Sequence, residues 1–315
     1  MPAPHEPLHL LIADTALPPG TPAPSLPELP PLPNLQALLA RMRLQTTLEV
    51  DEDSPDTPFE QALARAHGLP GAPGHVAWAA FETGTVGTPC AWLRPCHWQV
   101  GMDQVSLLEP SELALGEAES RALLAALQPL LQDDGLTLRY LAPDRWLAQG
   151  ELLRGLGTAS MARALQQPLT RELLTVAPDP AQGARLRRLQ GELEMLLYLQ
   201  PVNDAREAAR RYPVNAVWIE GAGALDAPVP PRPGVRTDTR LQTPPASTAD
   251  YLRAWQAIDA EALAPLLAAQ RNGAQVELTL CGARRALTLT TVRGLLPGFM
   301  NKIHPLRLSH LRNQL

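Results

Sequence analysis

The feature of this chain that most constrains its fold is the alternation of short apolar runs with helical patterns. Leu8–Ala13 (LHLLIA) is a continuous apolar run that ends at Asp14, as a buried parallel strand would, and Asn215–Ile219 (NAVWI) is a second such run. Among the helical patterns, Arg185–Leu199 is the clearest, with its leucines on one face. Strands that alternate with helices over 315 residues predict an α/β fold of three layers with a β-rich middle.

Local signals predict the remaining elements. Thr57-Pro58-Phe59-Glu60 reads as a capping box that starts a helix ending near Gly68, and Asn34 is predicted to cap an earlier helix. Pro228–Pro245 is predicted to be a linker or surface loop. Longer helices are expected at Ser111–Leu131 and Thr248–Ala269, and strands at Val76–Phe81, Cys90–Leu93, Leu136–Leu141, Arg145–Ala148, Gln275–Leu280 and Ala286–Thr291.

Composition and charge exclude several classes of protein. A net charge of −5 argues against a general nucleic-acid binder, and 45% hydrophobic with 19% charged residues argues against a disordered chain. No apolar run approaches the ~18 residues that a membrane span needs. Leu8–Ala13 is also too short, and lacks the preceding basic residues, for a secretory signal. We therefore expect a cytoplasmic protein, with no nucleic-acid or membrane partner, whose three cysteines are reduced.

One block of the sequence resembles a known family. Leu199–Arg206 (LQPVNDAR), followed by Pro213–Gly223 (PVNAVWIEGAG), is similar to the motif block of the archaeal-type, cofactor-independent phosphoglycerate mutases of the alkaline phosphatase superfamily. Weaker similarity extends to Leu32–Leu38, Trp92–Trp98 and Asp144-Arg145-Trp146. The chain also resembles a divergent proteobacterial branch of this family, some of whose members are labelled regulatory proteins.

The resemblance implies a fold and a site. The fold would be a three-layer alkaline-phosphatase-like core, at 1–85 and 185–315, with an inserted α+β cap at 86–184. The family's site holds two divalent metals (Mn or Zn) and a serine or threonine that is phosphorylated at a helix N-terminus. Asp14 matches the first metal aspartate, and Thr57 matches the nucleophile, with Ser54 as the second choice. From the residues alone, Asp14 could equally cap a loop, and Thr57 could serve only as a helix cap.

The second half of the chain departs from the family pattern. Where the family has a Gly-Asp-His turn after a late strand, this chain has Cys281-Gly282-Ala283-Arg284-Arg285, and arginine cannot ligate a cation. No histidine lies between His97 and His304. We therefore expect that the two-metal site is lost, that Asp14 and Thr57 are vestigial, and that no cofactor is bound.

Other candidate residues give weaker predictions. His304 and His310 are six apart and do not share a helix face, so isolated surface histidines are expected. Cys96 and His97, considered with Asp103 as a nucleophile system, point to opposite faces of a strand and cannot pair. Arginine suits bidentate phosphate binding, and five arginines are predicted to bind a ligand, although solvated surface positions remain open for the last two: Arg94, Arg145, Arg206, Arg284 and Arg285.

Three functions follow from these observations. The first is a phosphoglycerate-mutase-like protein without metal catalysis, which acts as a regulatory protein or binds a phosphorylated small molecule. The second is an active metal-dependent phosphoglycerate mutase or phosphatase that uses Asp14 and Thr57. The third is a structural protein that binds a protein partner through its proline-rich loops, a role that deleting part of Pro18–Pro31 would test.

Overall fold

The computed structural model describes residues 7–15, 29–102, 104–169, 175–242, 247–292, 306, 308–312 and 314–315. The strands, in chain order, are β1 (Leu8–Ile12), β2 (Met42–Glu49), β3 (Cys90–Cys96), β4 (Trp98–Val100), β5 (Val105–Leu107), β6 (Thr137–Ala142), β7 (Arg145–Gln149), β8 (Ala216–Gly223), β9 (Val235–Asp238), β10 (Val276–Cys281) and β11 (Arg285–Thr291). The helices are α1 (Pro33–Leu39), α2 (Pro58–His67), α3 (Trp78–Thr83), α4 (Pro110–Leu113), α5 (Glu117–Asp133), α6 (Met161–Leu165), α7 (Pro180–Tyr198), α8 (Pro201–Ala208), α9 (Thr248–Ile258), α10 (Ala264–Arg271) and α11 (Leu308–Arg312). None of the helices in this described part is both long enough and apolar enough to cross a membrane.

Backbone contacts divide the chain into two compact units. Unit 1 comprises 1–52, 57–68 and 231–315, and unit 2 comprises 53–56 and 69–230. Unit 2 is larger than the insertion expected at 86–184. It also includes α7 and β8, because β8 pairs with β3 and α7 packs on one face of that sheet. The division into an alkaline-phosphatase-like core and a cap stays a prediction.

Unit 1 is built on a mixed sheet in the order β2-β11-β10-β1-β9. β1 runs parallel to β9 and β10, whereas β11 is antiparallel to both β10 and β2. Side chains alternate between two faces of this sheet. Leucines such as Leu10 and Leu278 pack on α1, α9 and α10, and Leu11 and Ala13 pack on α2. The α/β class that the sequence predicts is confirmed.

Unit 2 holds an antiparallel sheet in the order β6-β7-β3-β8 and a separate β4-β5 ribbon. Its largest core lies where α5 and α7 cover one face of this sheet. Trp146 at the centre of this core is fully buried, and its indole N–H donates to the Ser120 hydroxyl at 2.9 Å. The predicted hairpin is present as β6 and β7, and the predicted long helix occurs in two pieces, α4 and α5.

Three local predictions are wrong. Val76–Phe81 is not a strand, because its alanines favour the helix α3, which ends at Gly84 in the left-handed region (φ 67°). Pro228–Pro245 is not only a loop, because it contains β9, which is paired with β1. Asn34 is not the N-cap of α1, because the helix begins one residue earlier, at Pro33.

Candidate functional site

The three parallel strands of unit 1 end together at one edge of the sheet. β1 is followed by Asp14 and Thr15, β9 ends at Asp238, and β10 ends at Cys281. The backbone N–H of Ala13 donates to the Asp238 carbonyl at 3.0 Å, and that of Thr15 donates to the Cys281 carbonyl at 2.7 Å. Ligands of open α/β sheets bind outside the carboxyl ends of such strands. This carboxyl edge is therefore the candidate site.

Asp14 occupies this edge in an unusual backbone conformation. Its φ of 49° lies in the left-handed region, which aspartate tolerates better than most residues. Burial raises the pKa of Asp14 to about 6, because the carboxylate has lost much of its hydration. The same burial, together with the Asp14 charge, raises the pKa of the Cys281 thiol. Cys281 therefore stays a neutral thiol, while Asp14 can exchange a proton near neutral pH.

Thr57 caps α2 as the sequence predicts. Its hydroxyl accepts from the Glu60 N–H at 3.3 Å and donates to Glu60 Oε2 at 2.9 Å, and the Thr57 N–H donates to the same oxygen at 2.8 Å. Both halves of the capping box are present, and Thr57 is buried. Ser54 instead donates to the Asp56 carbonyl, in a short turn assigned to unit 2.

The direction of α2 brings Thr57 to the same edge as Asp14. Phe59, in the first turn of the helix, packs with Ala13 and Cys281, while Ala66 in the last turn lines a cavity with His9 at the start of β1. The helix N-terminus therefore lies toward the carboxyl ends of the strands. No hydrogen bond joins the Asp14 and Thr57 side chains.

A second carboxylate at this edge, Asp238, was not predicted from the sequence. Asp238 is buried, and Arg240 binds both of its oxygens, with Nε at 3.0 and 3.1 Å and Nη2 at 2.6 Å from Oδ2. The other terminal nitrogen of Arg240 donates to Glu261 Oε2 at 2.6 Å. The only local signal was an acidic residue two positions before an arginine, in a stretch that resembles a loop. The Asp238 carboxylate is therefore engaged in an ion pair with Arg240 at this edge.

Arg284 and Arg285 lie in the turn between β10 and β11. The Arg284 carbonyl accepts from the Val50 N–H at 2.9 Å, which holds the turn against the chain after β2. The Arg284 side chain is exposed, with Nη1 3.9 Å from Glu52, and that of Arg285 lies 2.9 Å from Glu49. Exposed pairs of this kind contribute about 1 kcal/mol or less, so both guanidinium groups remain available to a stronger anion.

The other three candidate arginines are in unit 2, and two of them share one network. Arg94 donates to Glu220 at 2.9 Å and to Asp144 at 2.7 Å. Arg145 pairs with Glu82 at 3.0 Å and lies over the Trp92 ring, 4.5 Å from its centroid. Glu220 also accepts from the Met161 N–H at 2.5 Å. Three carboxylates, Asp144, Glu220 and Glu82, thus face the two guanidinium groups, and each arginine already has an anionic partner.

Arg206 is isolated from that network and almost fully enclosed. Its side chain is 1% exposed. It donates to Glu119 at 2.7 Å, to the Tyr212 carbonyl at 2.7 Å and to the Leu113 carbonyl. These contacts tie α8 to the end of α4 and to the first turn of α5, so the guanidinium has a structural role.

The block that resembles the phosphoglycerate mutases is also structural in its contacts. The Asn203 amide donates to the Leu197 and Val214 carbonyls at 2.7 and 2.8 Å and accepts from the Val214 N–H at 2.8 Å. Gly221 has a φ of 60°, and a Cβ there would lie 2.9 Å from Trp78 Cβ. The block therefore determines how helix α8 and strand β8 meet.

The remaining candidates do not form a second site. Burial raises the pKa of Cys96 to about 12, and the His97 ring is 2.8 Å from the Pro213 carbonyl, so the two side chains have separate partners. His310 is exposed on α11, and His304 and Asp103 lie outside the described residues. Within the described ranges, no three histidine, cysteine, aspartate or glutamate side chains are grouped so that they could hold a metal ion.

Comparisons with known proteins add only remote likenesses. No family model matches the chain, and no curated protein matches it. A cofactor-independent phosphoglycerate mutase from Thermoplasma acidophilum is similar at 14% identity and a TM-score of 0.36, with 91% of this chain and 90% of that chain covered. The PH0037 protein from Pyrococcus horikoshii is similar at 13% identity and a TM-score of 0.44, with 92% and 88% covered. At these values the likeness does not establish a family.

Proposed function

We propose that this chain is a phosphoglycerate-mutase-like protein that does not use two-metal catalysis and binds a phosphorylated small molecule at the carboxyl edge of unit 1, in a regulatory role. The observation that carries the proposal is the bidentate pair between Asp238 and Arg240. Both oxygens of the carboxylate are engaged by a cation that belongs to the chain itself. A divalent metal at this position would have to displace the guanidinium and would then be repelled by it.

The phosphate would be held by Arg284 and Arg285. Their present partners are exposed carboxylates, and a phosphate can replace such a weak pair with charge-assisted bidentate hydrogen bonds. The pairs of Arg94 and Arg206 cannot be exchanged so easily, because both guanidinium groups are largely buried and, in the case of Arg206, also donate to two backbone carbonyls that would lose their donors. The pair of Arg145 with Glu82 is also partly exposed, but it belongs to unit 2 and not to the carboxyl edge of unit 1. The proposal therefore narrows the five predicted arginines to two.

The alternative is an active metal-dependent phosphoglycerate mutase or phosphatase. It is favoured by the position of Asp14 and Thr57 at one edge of the sheet, with the Thr57 hydroxyl at a helix N-terminus. Asp14 would then be the principal metal ligand, and manganese or zinc would supply the positive charge that activates the phosphoryl group.

A cytoplasmic location is part of the same proposal and is supported by the three free cysteines, Cys90, Cys96 and Cys281. A protein partner remains compatible with a regulatory role. The proline-rich segment that would bind it, Pro18–Pro31, lies mostly outside the described residues.

Calorimetric titration with phosphoglycerates and with nucleotides, together with metal analysis of the purified protein, tests the proposal. We expect binding without stoichiometric metal. Replacing Arg284 and Arg285 together with alanine should abolish this binding, while Arg121→Ala, which removes an exposed arginine paired with Glu117, should leave it unchanged.

The alternative makes the opposite prediction. Stoichiometric manganese or zinc would be found, and mutase or phosphatase turnover would be abolished by Thr57→Asn. Asparagine is a good N-cap but has no hydroxyl nucleophile, so this substitution separates catalysis from capping. That pair of results would replace the binding proposal with the catalytic one.

A further inference from the structure

The face of the unit 1 sheet that packs on α2 changes from apolar to polar along its strands. Near the carboxyl edge, this face carries Leu11, Ala13 and Cys281, which pack against α2. The residues that precede Leu11 on β1 and Cys281 on β10 on this face are polar, and so is the residue that follows Ala286 on β11. They are His9, Glu277, Thr279 and Thr288. The ten-residue helix thus covers only part of this face with apolar contacts.

A cavity of about 260 Å³ lies at this polar end, between the sheet and the last turn of α2. At about 30 Å³ for each water molecule, its volume corresponds to roughly nine waters, which is enough for a small metabolite. Seven of the lining residues are polar or charged and converge from five elements and one loop: His9, Gln45, Thr46, Arg65, Arg232, Glu277 and Thr288.

The polar groups on the sheet are already connected to one another. His9 Nδ1 lies 3.5 Å from Glu277 Oε2, and its Nε2 lies 2.7 Å from the Thr279 hydroxyl, which is 2.9 Å from that of Thr288. The His9 side chain is only 11% exposed. Burial, followed by the nearby His67, lowers the pKa of His9 to about 4, so the ring is neutral at pH 7. A neutral imidazole donates a hydrogen bond through one ring nitrogen and accepts one through the other, so it can pair with hydroxyl groups.

The two arginines at the cavity differ from the five that the sequence suggested. Neither the Arg65 nor the Arg232 guanidinium has a hydrogen-bond acceptor or carboxylate partner in the described part of the chain, whereas all five of the others do. Arg232 lies against Gly68, the C-cap of α2, with Nη2 3.0 Å from where a Cβ would stand. Among the described residues that line the cavity, Arg65 and Arg232 next to α2 therefore carry positive charge without a carboxylate partner, and Glu277 on the sheet is the acidic residue.

We propose that this cavity binds a small hydroxylated anion, with Arg65 and Arg232 holding its phosphate or carboxylate group and Glu277 and His9 hydrogen-bonding its hydroxyl groups. Glu277 repels a bare anion but accepts hydrogen bonds from a polyol, and for this reason the ligand needs hydroxyl groups. The cavity lies at the opposite end of the strands from Asp14. It is therefore a second site, independent of the proposed one at the carboxyl edge.

Calorimetric titration of the full chain with four probes tests this site: glycerol 3-phosphate, glycerate, inorganic phosphate and glycerol. We expect glycerol 3-phosphate, glycerate or both to bind, which identifies the anionic group, and glycerol not to bind. The double variant R65A/R232A should weaken binding by roughly tenfold or more, since charged hydrogen bonds are lost. The matched control is Arg236→Ala, an exposed arginine next to Val235 whose side chain points to the other face of β9.

Glu277→Gln provides a second, independent measurement. It keeps the shape of the side chain and removes its charge, so inorganic phosphate should bind more tightly while the preference for glycerol 3-phosphate over phosphate falls. Binding of none of the probes at millimolar concentration, or equal binding by wild type, R65A/R232A and E277Q, would overturn the proposal. Loss of binding in R284A/R285A but not in R65A/R232A would instead assign these ligands to the carboxyl edge.

Discussion

The Asp259 carboxylate caps the helix that contains Asn34, from 225 residues further along the chain. Its Oδ2 accepts from the Asn34 backbone N–H at 3.2 Å and from the Asn34 amide at 2.9 Å, and its Oδ1 accepts from the Leu35 N–H at 2.8 Å. Asp259 lies at the start of the π-helical turn Asp259–Leu263, which joins α9 to α10. Two backbone N–H groups at the start of α1 thus depend on the carboxylate of a single buried residue, while the Asn34 amide also donates to the Asp259 carbonyl at 3.1 Å.

Replacing this residue should destabilise unit 1. For Asp259→Ala we expect the free energy of unfolding to fall by about 2–3 kcal/mol, because buried N–H groups lose their acceptors. Asp259→Asn should cost less, since the amide oxygen still accepts. Urea denaturation followed by circular dichroism measures both. Asp226→Ala, at an exposed position in unit 2, is the control, and an equal effect of the two alanine variants would contradict the capping role.

Arg206 should not tolerate lysine. Lysine cannot reach Glu119 and the two backbone carbonyls together, so Arg206→Lys is expected to lower the free energy of unfolding by about 3 kcal/mol or more. Arg211→Lys, at the more exposed arginine that pairs with the same carboxylate, should cost less than about 1 kcal/mol. Thermal or urea unfolding compares the two. If Arg206→Lys is as mild as Arg211→Lys, the guanidinium is not the structural link that its contacts indicate.

Asp14 should make the protein less stable as the pH rises. Its pKa is raised from 3.8 to about 6 in the fold, so the folded state holds more protons than the unfolded state between these values. The free energy of unfolding therefore decreases from about pH 4 to about pH 6 and stays low above that range. Asp14→Asn removes this cost and suits the positive φ, so it should stabilise the protein at pH 8 by about 1–3 kcal/mol.

The pH dependence of Asp14→Asn distinguishes this effect from a general one. Burial also raises the pKa of Asp56 to about 6, and its slope should remain in the variant while the contribution of Asp14 disappears. Urea midpoints at pH 4.5 and pH 8 are sufficient for this comparison. A variant that is destabilised at both values, with an unchanged slope, would show that the Asp14 carboxylate is not held in an unfavourable charged form.

Two glycines should respond to alanine in opposite directions. Gly221→Ala places a Cβ 2.9 Å from Trp78 at a φ of 60°, and we expect a loss of about 1–3 kcal/mol. Gly191 is exposed within α7, with no atom within 4 Å of a built Cβ, so Gly191→Ala should stabilise the protein by about 0.5–1 kcal/mol. The difference in melting temperature between the two variants measures this contrast, and stabilisation by both would contradict it.

The contrast between the two helix caps of unit 1 shows what the sequence could predict. The cap of α2 is encoded within four residues, Thr57 to Glu60, and was predicted in full. The cap of α1 comes from Asp259, and no local pattern around Asn34 indicates a partner so far away. The local signal instead suggested Asn34 itself, which lies one residue inside the helix.

The site shows the same division. Asp14 could be predicted because the apolar run before it marks the end of a buried strand. Asp238 could not, because β9 has only four residues, three of them polar, and is a strand only through its pairing with β1. Arg240, Arg65 and Arg232 were missed for a related reason. Whether an arginine has a carboxylate partner depends on tertiary neighbours, and the sequence shows only that arginine is abundant.

The shortness of β9 also affects how the protein behaves in solution. An edge strand offers unpaired N–H and C=O groups to which a second chain can add. β9 offers few of them and is preceded by Pro231 and Pro233, whereas the other edge, β2, is eight residues long but carries charges at Arg43 and Glu49 and faces an irregularity at Thr288/Leu289. One edge is too short and the other too charged and irregular to serve as a template, so neither border of this sheet favours polymerisation by strand addition.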